Sequence, residues 1–124
     1  MRIIILPGDG IGPEIMAATE EVLRVADKSF GLGLKLEHRA VGFESLAAVG
    51  TTVPAELLDV LREADGVIMG PTDTAAYPPP EKGGINPSAT IRGKLDLYAN
   101  IRPSRAIPGV PALRSDSTLC GRAE

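Results

Sequence analysis

The order of hydrophobic and polar residues divides the first part of the chain into strands and helices. Arg2–Leu6 is a β-branched run that ends before Pro7, which is typical of a buried strand. A helix is predicted next, because apolar residues recur at helical spacing and form one stripe that stops before Gly31: Ile11, Ile15, Ala18, Val22 and Ala26.

Three further segments continue this alternation. Residues 34–40 alternate between apolar and polar side chains, which predicts a strand with one wet face near a sheet edge. Residues 53–64 predict a second helix with its leucines facing inward, and residues 66–70 predict another apolar strand. Strands and helices in this order indicate a single α/β domain with a largely parallel sheet, flanking helices and right-handed crossovers.

The rhythm changes after the third strand. Residues 71–87 contain five prolines and little apolar content, and loops of this length are usually functional or mobile. Residues 88–95 predict a short helix with Ser88 as its N-cap. Residues 95–102 alternate again, which predicts a strand with Arg102 on its polar face.

Composition and charge exclude several classes of function. The net charge is −3 without a basic stripe, and aromatic residues make up 3% of the chain, so a nucleic-acid surface is not expected. The single cysteine, Cys120, and the single histidine, His38, exclude an internal disulfide and a Cys/His metal cluster. No run approaches the roughly 20 apolar residues of a membrane helix, and we expect a cytoplasmic protein.

Two groups of residues have competing interpretations. The glycines from Gly8 to Gly12 precede a helix and could cradle a phosphate, but Pro13 removes an amide and Asp9 would repel the anion. We therefore favour a tight strand-to-helix turn. The planar guanidinium groups of Arg92 and Arg102 could together bind a dicarboxylate if the chain folds back between them. The alternative is that both are solvated surface arginines.

Two polar groups and two single side chains also allow more than one interpretation. Thr72 and Thr74 follow a parallel strand where α/β sheets place ligands, although plain turn chemistry would explain them equally well. The same holds for Asn86 and Ser88 at the far end of the loop, which are candidate ligand contacts. His38 is expected to pack or hydrogen-bond within its strand rather than to act in catalysis. For Tyr98, edge packing and hydrogen-bond donation remain open.

Three motifs resemble the isocitrate/isopropylmalate dehydrogenase family, the β-decarboxylating dehydrogenases that include tartrate dehydrogenase-like members. IILPGDGIGPEI at residues 4–15 resembles the opening of these enzymes, GPTDT at residues 70–74 looks like their GP-x-x-T turn, and SATIRGKLDLYANIRP at residues 88–103 is similar to their substrate segment. The resemblance covers residues 2 to about 116, and it implies part of an isopropylmalate dehydrogenase-like fold at residues 1–116, with an atypical tail at residues 117–124.

The resemblance assigns roles to the candidate residues. Arg92 and Arg102 match the arginines that grip the carboxylates of a malate-type substrate. Asn86 and Ser88 match the positions that select its third substituent, and polar residues there imply a polar substituent. The resemblance implies cofactor contacts at three positions: Thr72, Thr74 and Ile11. It also implies that the glycine turn does not bind the phosphates of the cofactor.

The implied reaction is oxidation of a hydroxy-dicarboxylate or hydroxy-tricarboxylate by NAD or NADP, with decarboxylation assisted by Mg²⁺ or Mn²⁺ in a homodimer. The family's catalytic Tyr and Lys and its metal-binding aspartates do not occur in this chain, so no catalytic or metal residue is assigned. We expect a truncated segment that is inactive and weakly stable alone. The alternatives are a stand-alone dicarboxylate-binding or regulatory module without catalysis, and a translation product without function.

Overall fold

The computed structural model describes residues 1–102. Within this range the chain forms three β-strands, four α-helices and one short 3₁₀ helix at Pro80–Lys82. In chain order these elements are β1 Arg2–Leu6, α1 Gly12–Phe30, β2 Lys35–His38, α2 Phe43–Val49, α3 Ala55–Arg62, β3 Gly66–Met69 and α4 Pro87–Lys94. The three strands and two helices predicted over residues 2–70 are all present, with one further helix, α2, among them. The predicted atypical tail lies outside the described residues.

The three strands form one parallel sheet in the order β2-β1-β3. β1 lies in the centre, with Ile5 paired to His38 on one side and to Ile68 on the other. The parallel α/β architecture is therefore confirmed, and among residues 1–102 the second strand lies at the sheet edge, as predicted. Central placement explains why the side chains of Ile4, Ile5 and Leu6 are fully buried.

Helices cover both faces of the sheet. Ile4 and Leu6 point to one face, where they join a hydrophobic cluster with residues of α3 and α4 and the segments before them: Val41, Val53, Leu57, Leu61 and Ile91. Ile5 points to the other face, where α1 lies. The side chain of His38, the register partner of Ile5, contacts Glu20 of α1.

The buried face of α1 differs from the apolar stripe of the sequence. The helix is confirmed and ends at Gly31, which adopts a left-handed conformation. Its buried residues are Gly12, Met16 and Glu20, whereas the predicted stripe is largely exposed, with Val22 at 69%. The buried carboxylate of Glu20 lies beside Arg24, one turn further along α1, and beside His38 of β2. The contact with His38 is long-range, so hydrophobic periodicity does not register it.

A helix that the sequence pattern did not predict follows β2. α2 begins after Gly42 and ends at Gly50, and both glycines have positive φ angles. Only Ser45 of α2 is buried, and its hydroxyl donates a hydrogen bond to the carbonyl oxygen of Thr51 at 2.8 Å. A helix of seven residues with so small a buried face leaves a weak periodic signal.

Two predictions near the end of the described chain are wrong. Residues 95–102 form no strand, and Asp96 takes a positive φ of 51°. Alternation predicted a strand there, but a strand also needs a pairing partner, and Leu97 and Ile101 are exposed. Ser88 is not the N-cap of α4: Asn86 is, and its Oδ1 accepts a hydrogen bond from the backbone N–H of Ala89 at 3.0 Å.

Candidate functional site

The carboxyl ends of β1 and β3 meet in a close backbone contact. A Cβ atom built on Gly8 would lie 2.1 Å from the carbonyl oxygen of Pro71, and one built on Gly70 would lie 2.1 Å from that of Pro7. The backbone N–H of Asp9 donates a hydrogen bond to the Pro71 oxygen at 2.8 Å. These contacts agree with the interpretation of the glycine segment as a tight turn, since the glycines let two loops touch.

Asp9, expected from the sequence only to repel phosphate, is buried in this turn and connects separate segments of the chain. Its side chain accepts hydrogen bonds from the backbone N–H groups of Phe43 and Asp73, and from the hydroxyl of Tyr77. Asp9 and Tyr77 were not identified as functional positions from the sequence. No local signal marks them, because their partners lie 34 to 68 residues away along the chain.

An open pocket of about 710 Å³ lies beside this junction. It brings Thr74 of the first polar group together with Asn86 of the second, and Tyr77 forms part of the wall between them. The remaining lining residues are small or rigid: Ala75, Pro78, Pro79, Pro80 and Gly84. Thr72 is half-buried and lies outside this lining, and Ile11 is exposed on the glycine turn.

Asn86 is held at the pocket by its own cap and by Thr52. Thr52 is fully buried; its hydroxyl donates to the carbonyl oxygen of Ile85 at 2.6 Å and accepts from the N–H of Ile85 at 2.8 Å. These bonds fix the residue that precedes Asn86. Ser88 lies half-buried in the first turn of α4, so both predicted specificity positions are placed at the start of one helix.

The two arginines are placed differently. Arg92 is half-buried on α4, which is anchored in the core by Ile91, whereas Arg102 is exposed beyond the helix. The strand expected to carry Arg102 is not formed, which removes the geometric ground for their convergence. Joint binding of a dicarboxylate by Arg92 and Arg102 therefore stays a prediction.

The other two candidate side chains, His38 and Tyr98, lie outside the pocket lining. The Nε2 atom of His38 lies 2.9 Å from Oε1 of Glu20, which belongs to α1 and not to the strand of His38. Tyr98 is fully exposed, so it makes no edge packing in the described structure. Among residues 1–102, no group of three or more His, Cys, Asp or Glu side chains could hold a metal. The described residues therefore do not by themselves provide a site for Mg²⁺ or Mn²⁺.

A sequence model of the isocitrate/isopropylmalate dehydrogenase family matches residues 2–119. The chain belongs to this family. It is 37% identical over 125 residues to a 3-isopropylmalate dehydrogenase of Methylococcus capsulatus, an alignment that covers 96% of this chain and 33% of the relative. Family membership confirms the resemblance of the three motifs.

Solved structures of the family share the fold. A β-decarboxylating dehydrogenase from Thermococcus kodakarensis matches with a TM-score of 0.63 and 31% identity, covering 78% of this chain and 27% of that one. An isocitrate dehydrogenase from Methylococcus capsulatus matches with a TM-score of 0.63 and 30% identity, covering 78% of this chain and 26% of that one. The chain spans about a third of the length of the curated relatives it matches.

No helix within the described part of the chain combines the length and the apolar character that a membrane crossing requires.

Proposed function

We propose that this chain supplies the substrate-gripping part of an NAD(P)-dependent, metal-assisted, β-decarboxylating dehydrogenase of a malate-type 2-hydroxy acid, and that it does not turn over by itself. The observation that carries the proposal is the pocket at the carboxyl end of β3, because it joins Thr74 and Asn86, two candidate residues from opposite ends of the polar loop. Open α/β sheets bind ligands at this end of their strands.

Within this proposal the arginines bind the substrate carboxylates. Arg92 and Arg102 would each present a planar guanidinium group that can bind a carboxylate bidentately. Asn86 and Ser88 at the start of α4 would contact the third substituent of an isocitrate, isopropylmalate or tartrate-class acid. Their polarity favours a substrate that is polar at that position.

The cofactor would approach from the other side of the same pocket. Thr72 and Thr74 would line the nicotinamide end of NAD or NADP, and Ile11 would contribute apolar surface from the exposed glycine turn. The described residues supply neither a metal site nor a general base at this pocket. Turnover is therefore assigned to a longer chain, and to the homodimer expected of the whole enzyme.

A chimera tests this assignment. Residues 1–102 replace the matching segment of the Methylococcus capsulatus 3-isopropylmalate dehydrogenase, and reduction of NAD or NADP is followed with isopropylmalate, isocitrate or tartrate and Mn²⁺. We expect activity with at least one acid, and a loss of kcat/KM of about 100-fold in Arg92→Gln because the substrate is no longer positioned. Arg39→Gln, immediately after the far strand β2, is the matched control. Unchanged activity in Arg92→Gln would overturn the assignment.

The isolated chain distinguishes the alternative of a binding module. We expect no reduction of NAD or NADP with any of the three acids. Saturable binding of the same acids in calorimetry, abolished by Arg92→Gln and by Arg102→Gln, would support a stand-alone dicarboxylate-binding module. Reduction of the cofactor by the isolated chain would contradict the proposal of an inactive segment.

A further inference from the structure

The side chain of Asp9 connects three segments at the carboxyl edge of the sheet. It is 8% exposed and lies in the turn after β1. Its Oδ1 accepts from the N–H of Phe43, the first residue of α2, at 2.8 Å. Its Oδ2 accepts from the N–H of Asp73 at 3.0 Å and from the hydroxyl of Tyr77, both in the loop after β3.

The hydrogen-bond donors around Asp9 match the two acceptor oxygens of a carboxylate. All three partners donate, and a carboxylate only accepts, so donors and acceptors match without a conflict. An asparagine at position 9 would point its NH₂ group, which donates, at one of these donors. Gly42 completes the fit, because a Cβ atom there would lie 2.3 Å from Oδ1 of Asp9.

Asp9 holds the loop that forms the pocket wall. In the described part of the chain, the hydrogen bonds that join residues 72–77 to the rest of the molecule both end on Asp9. Tyr77 is also packed edge-on against the ring of Phe43, with 4.9 Å between the ring centroids. Thr74 lies between the two anchored residues, Asp73 and Tyr77, and faces the pocket with Asn86.

We propose that Asp9 is a positioning residue of the pocket: through Asp73 and Tyr77 its carboxylate fixes the loop that presents Thr74 to the ligand. Asp9 itself does not line the pocket, so it acts through the loop and not by contact with substrate or cofactor. The ligand class, a nicotinamide cofactor beside a hydroxy acid, rests on the proposed function. The fixation of the loop does not depend on it.

Tyr77 provides a spectroscopic signal for this contact. Burial raises the pKa of Tyr77 above its ordinary value of 10.0, and the hydrogen bond to Asp9 and the charge of Asp9 raise the pKa further. Because the folded pKa is raised, the contribution of the neutral hydroxyl is fully present below the ordinary pKa and is lost as pH rises through the folded pKa. The chain has two tyrosines and no tryptophan, so Tyr98→Phe leaves Tyr77 as the only phenol absorbing in this region.

The first experiment titrates Tyr77 in the Tyr98→Phe chain by phenolate absorbance, with Asp9 or with Asp9→Asn. We expect ionisation well above pH 10 with Asp9, and a clear downward shift in Asp9→Asn, while the circular dichroism of the helices persists. Identical titrations of the two chains would overturn the proposal.

The second experiment separates positioning from general support of the fold. Amide hydrogen exchange is measured by mass spectrometry in Asp9→Asn and in Tyr77→Phe, which keeps the ring and removes only the hydroxyl. We expect roughly tenfold faster exchange at residues 72–77, in line with the loss of a hydrogen bond to a charged group, and unchanged exchange in α3. Equal acceleration throughout the chain would overturn the proposal, since Asp9 would then merely stabilise the fold.

The third experiment tests the consequence for the pocket in the active chimera. We expect Asp9→Asn and Tyr77→Phe to raise KM for the nicotinamide cofactor more than they lower kcat, because the loop positions Thr74 and not the reacting atoms. Unchanged kinetic constants alongside a released loop would overturn the role in ligand positioning. An inactive chimera with native Asp9 would count against the proposed function, and the titration and exchange results would still decide whether Asp9 fixes the loop.

Discussion

Gly8 and Pro71 are in such close contact that a Cβ atom on Gly8 would lie 2.1 Å from the carbonyl oxygen of Pro71. The same oxygen accepts the hydrogen bond from the N–H of Asp9, so it cannot move away without breaking that bond. Gly8 also has a positive φ of 78°. The junction of β1 and β3 therefore depends on the absence of a side chain at this position.

Replacement of this glycine tests the contact. We expect Gly8→Ala to lower the free energy of unfolding by roughly 2–4 kcal/mol, the sum of left-handed backbone strain and overpacking. Gly10→Ala is the matched control: Gly10 has a positive φ of 56°, but a Cβ atom there meets nothing within 4 Å. It should cost only the strain, about 1 kcal/mol. Equal losses in urea unfolding would contradict the role of the Pro71 contact.

Thr52 fixes the segment that leads to Asn86, and its hydroxyl is the essential group. Thr52→Val keeps the shape of the side chain but leaves the N–H and carbonyl groups of Ile85 without their buried partner, so we expect a loss of about 1–3 kcal/mol. Thr52→Ser keeps the hydroxyl and removes one methyl group, which should cost about 1 kcal/mol. A larger loss in the serine variant, measured by thermal unfolding, would show that packing and not hydrogen bonding dominates.

Glu20 is a buried carboxylate with two largely exposed basic side chains as partners. Arg24 lies 2.7 Å and His38 lies 2.9 Å from its oxygens. We expect the double variant Arg24→Ala, His38→Ala to be destabilised by roughly 1–3 kcal/mol, because it leaves a buried charge unpaired. Adding Glu20→Gln to that variant should restore part of the loss. Additive losses in the triple variant would contradict the coupling.

Glu37 gives the stability of the chain a dependence on acid. Its pKa is lowered by the hydrogen bond from Arg2 and, to a smaller extent, by the positive charges of Arg2 and Arg39. A lowered folded pKa means that the contribution is present above the ordinary pKa of 4.5 and is lost as pH falls through the folded pKa. We expect Glu37→Gln to flatten the acid limb of a plot of urea unfolding midpoint against pH. The control Glu81→Gln, at an exposed position of the 3₁₀ helix, should retain that limb.

The outer face of α1 exposes apolar side chains along the helix. Val22 is 69% exposed, Val25 is 61% and Phe30 is 77%. Exposed apolar patches promote association, so we expect the isolated chain to self-associate in light scattering and the variant Val22→Gln, Val25→Gln to associate less. Glu21→Gln, a polar replacement at an exposed position of the same helix, is the control. A monomeric wild-type chain with a cooperative unfolding transition would contradict this prediction.

Local sequence determined the elements with strong periodic signals and clear breakers. The buried β1 follows from a β-branched run, the end of α1 from Gly31, and the edge position of β2 from its alternation. Three motifs also sufficed to identify the family, since a motif keeps residue type and spacing together. These features depend on neighbours along the chain, and the printed residues are enough to infer them.

Tertiary structure decided the features that depend on partners distant in sequence. Alternation over residues 95–102 predicted a strand, but no described strand pairs with it. Hydrophobic periodicity predicted that the apolar stripe of α1 faces inward. The folded helix instead buries Glu20, and only folding brings His38 to this residue. From the sequence, Asp9 is only a residue of a turn. In the folded chain, donors from Phe43, Asp73 and Tyr77 converge on its carboxylate, and Asp9 then fixes the pocket wall. A carboxylate needs such donors to take this role, and only folding brings them together.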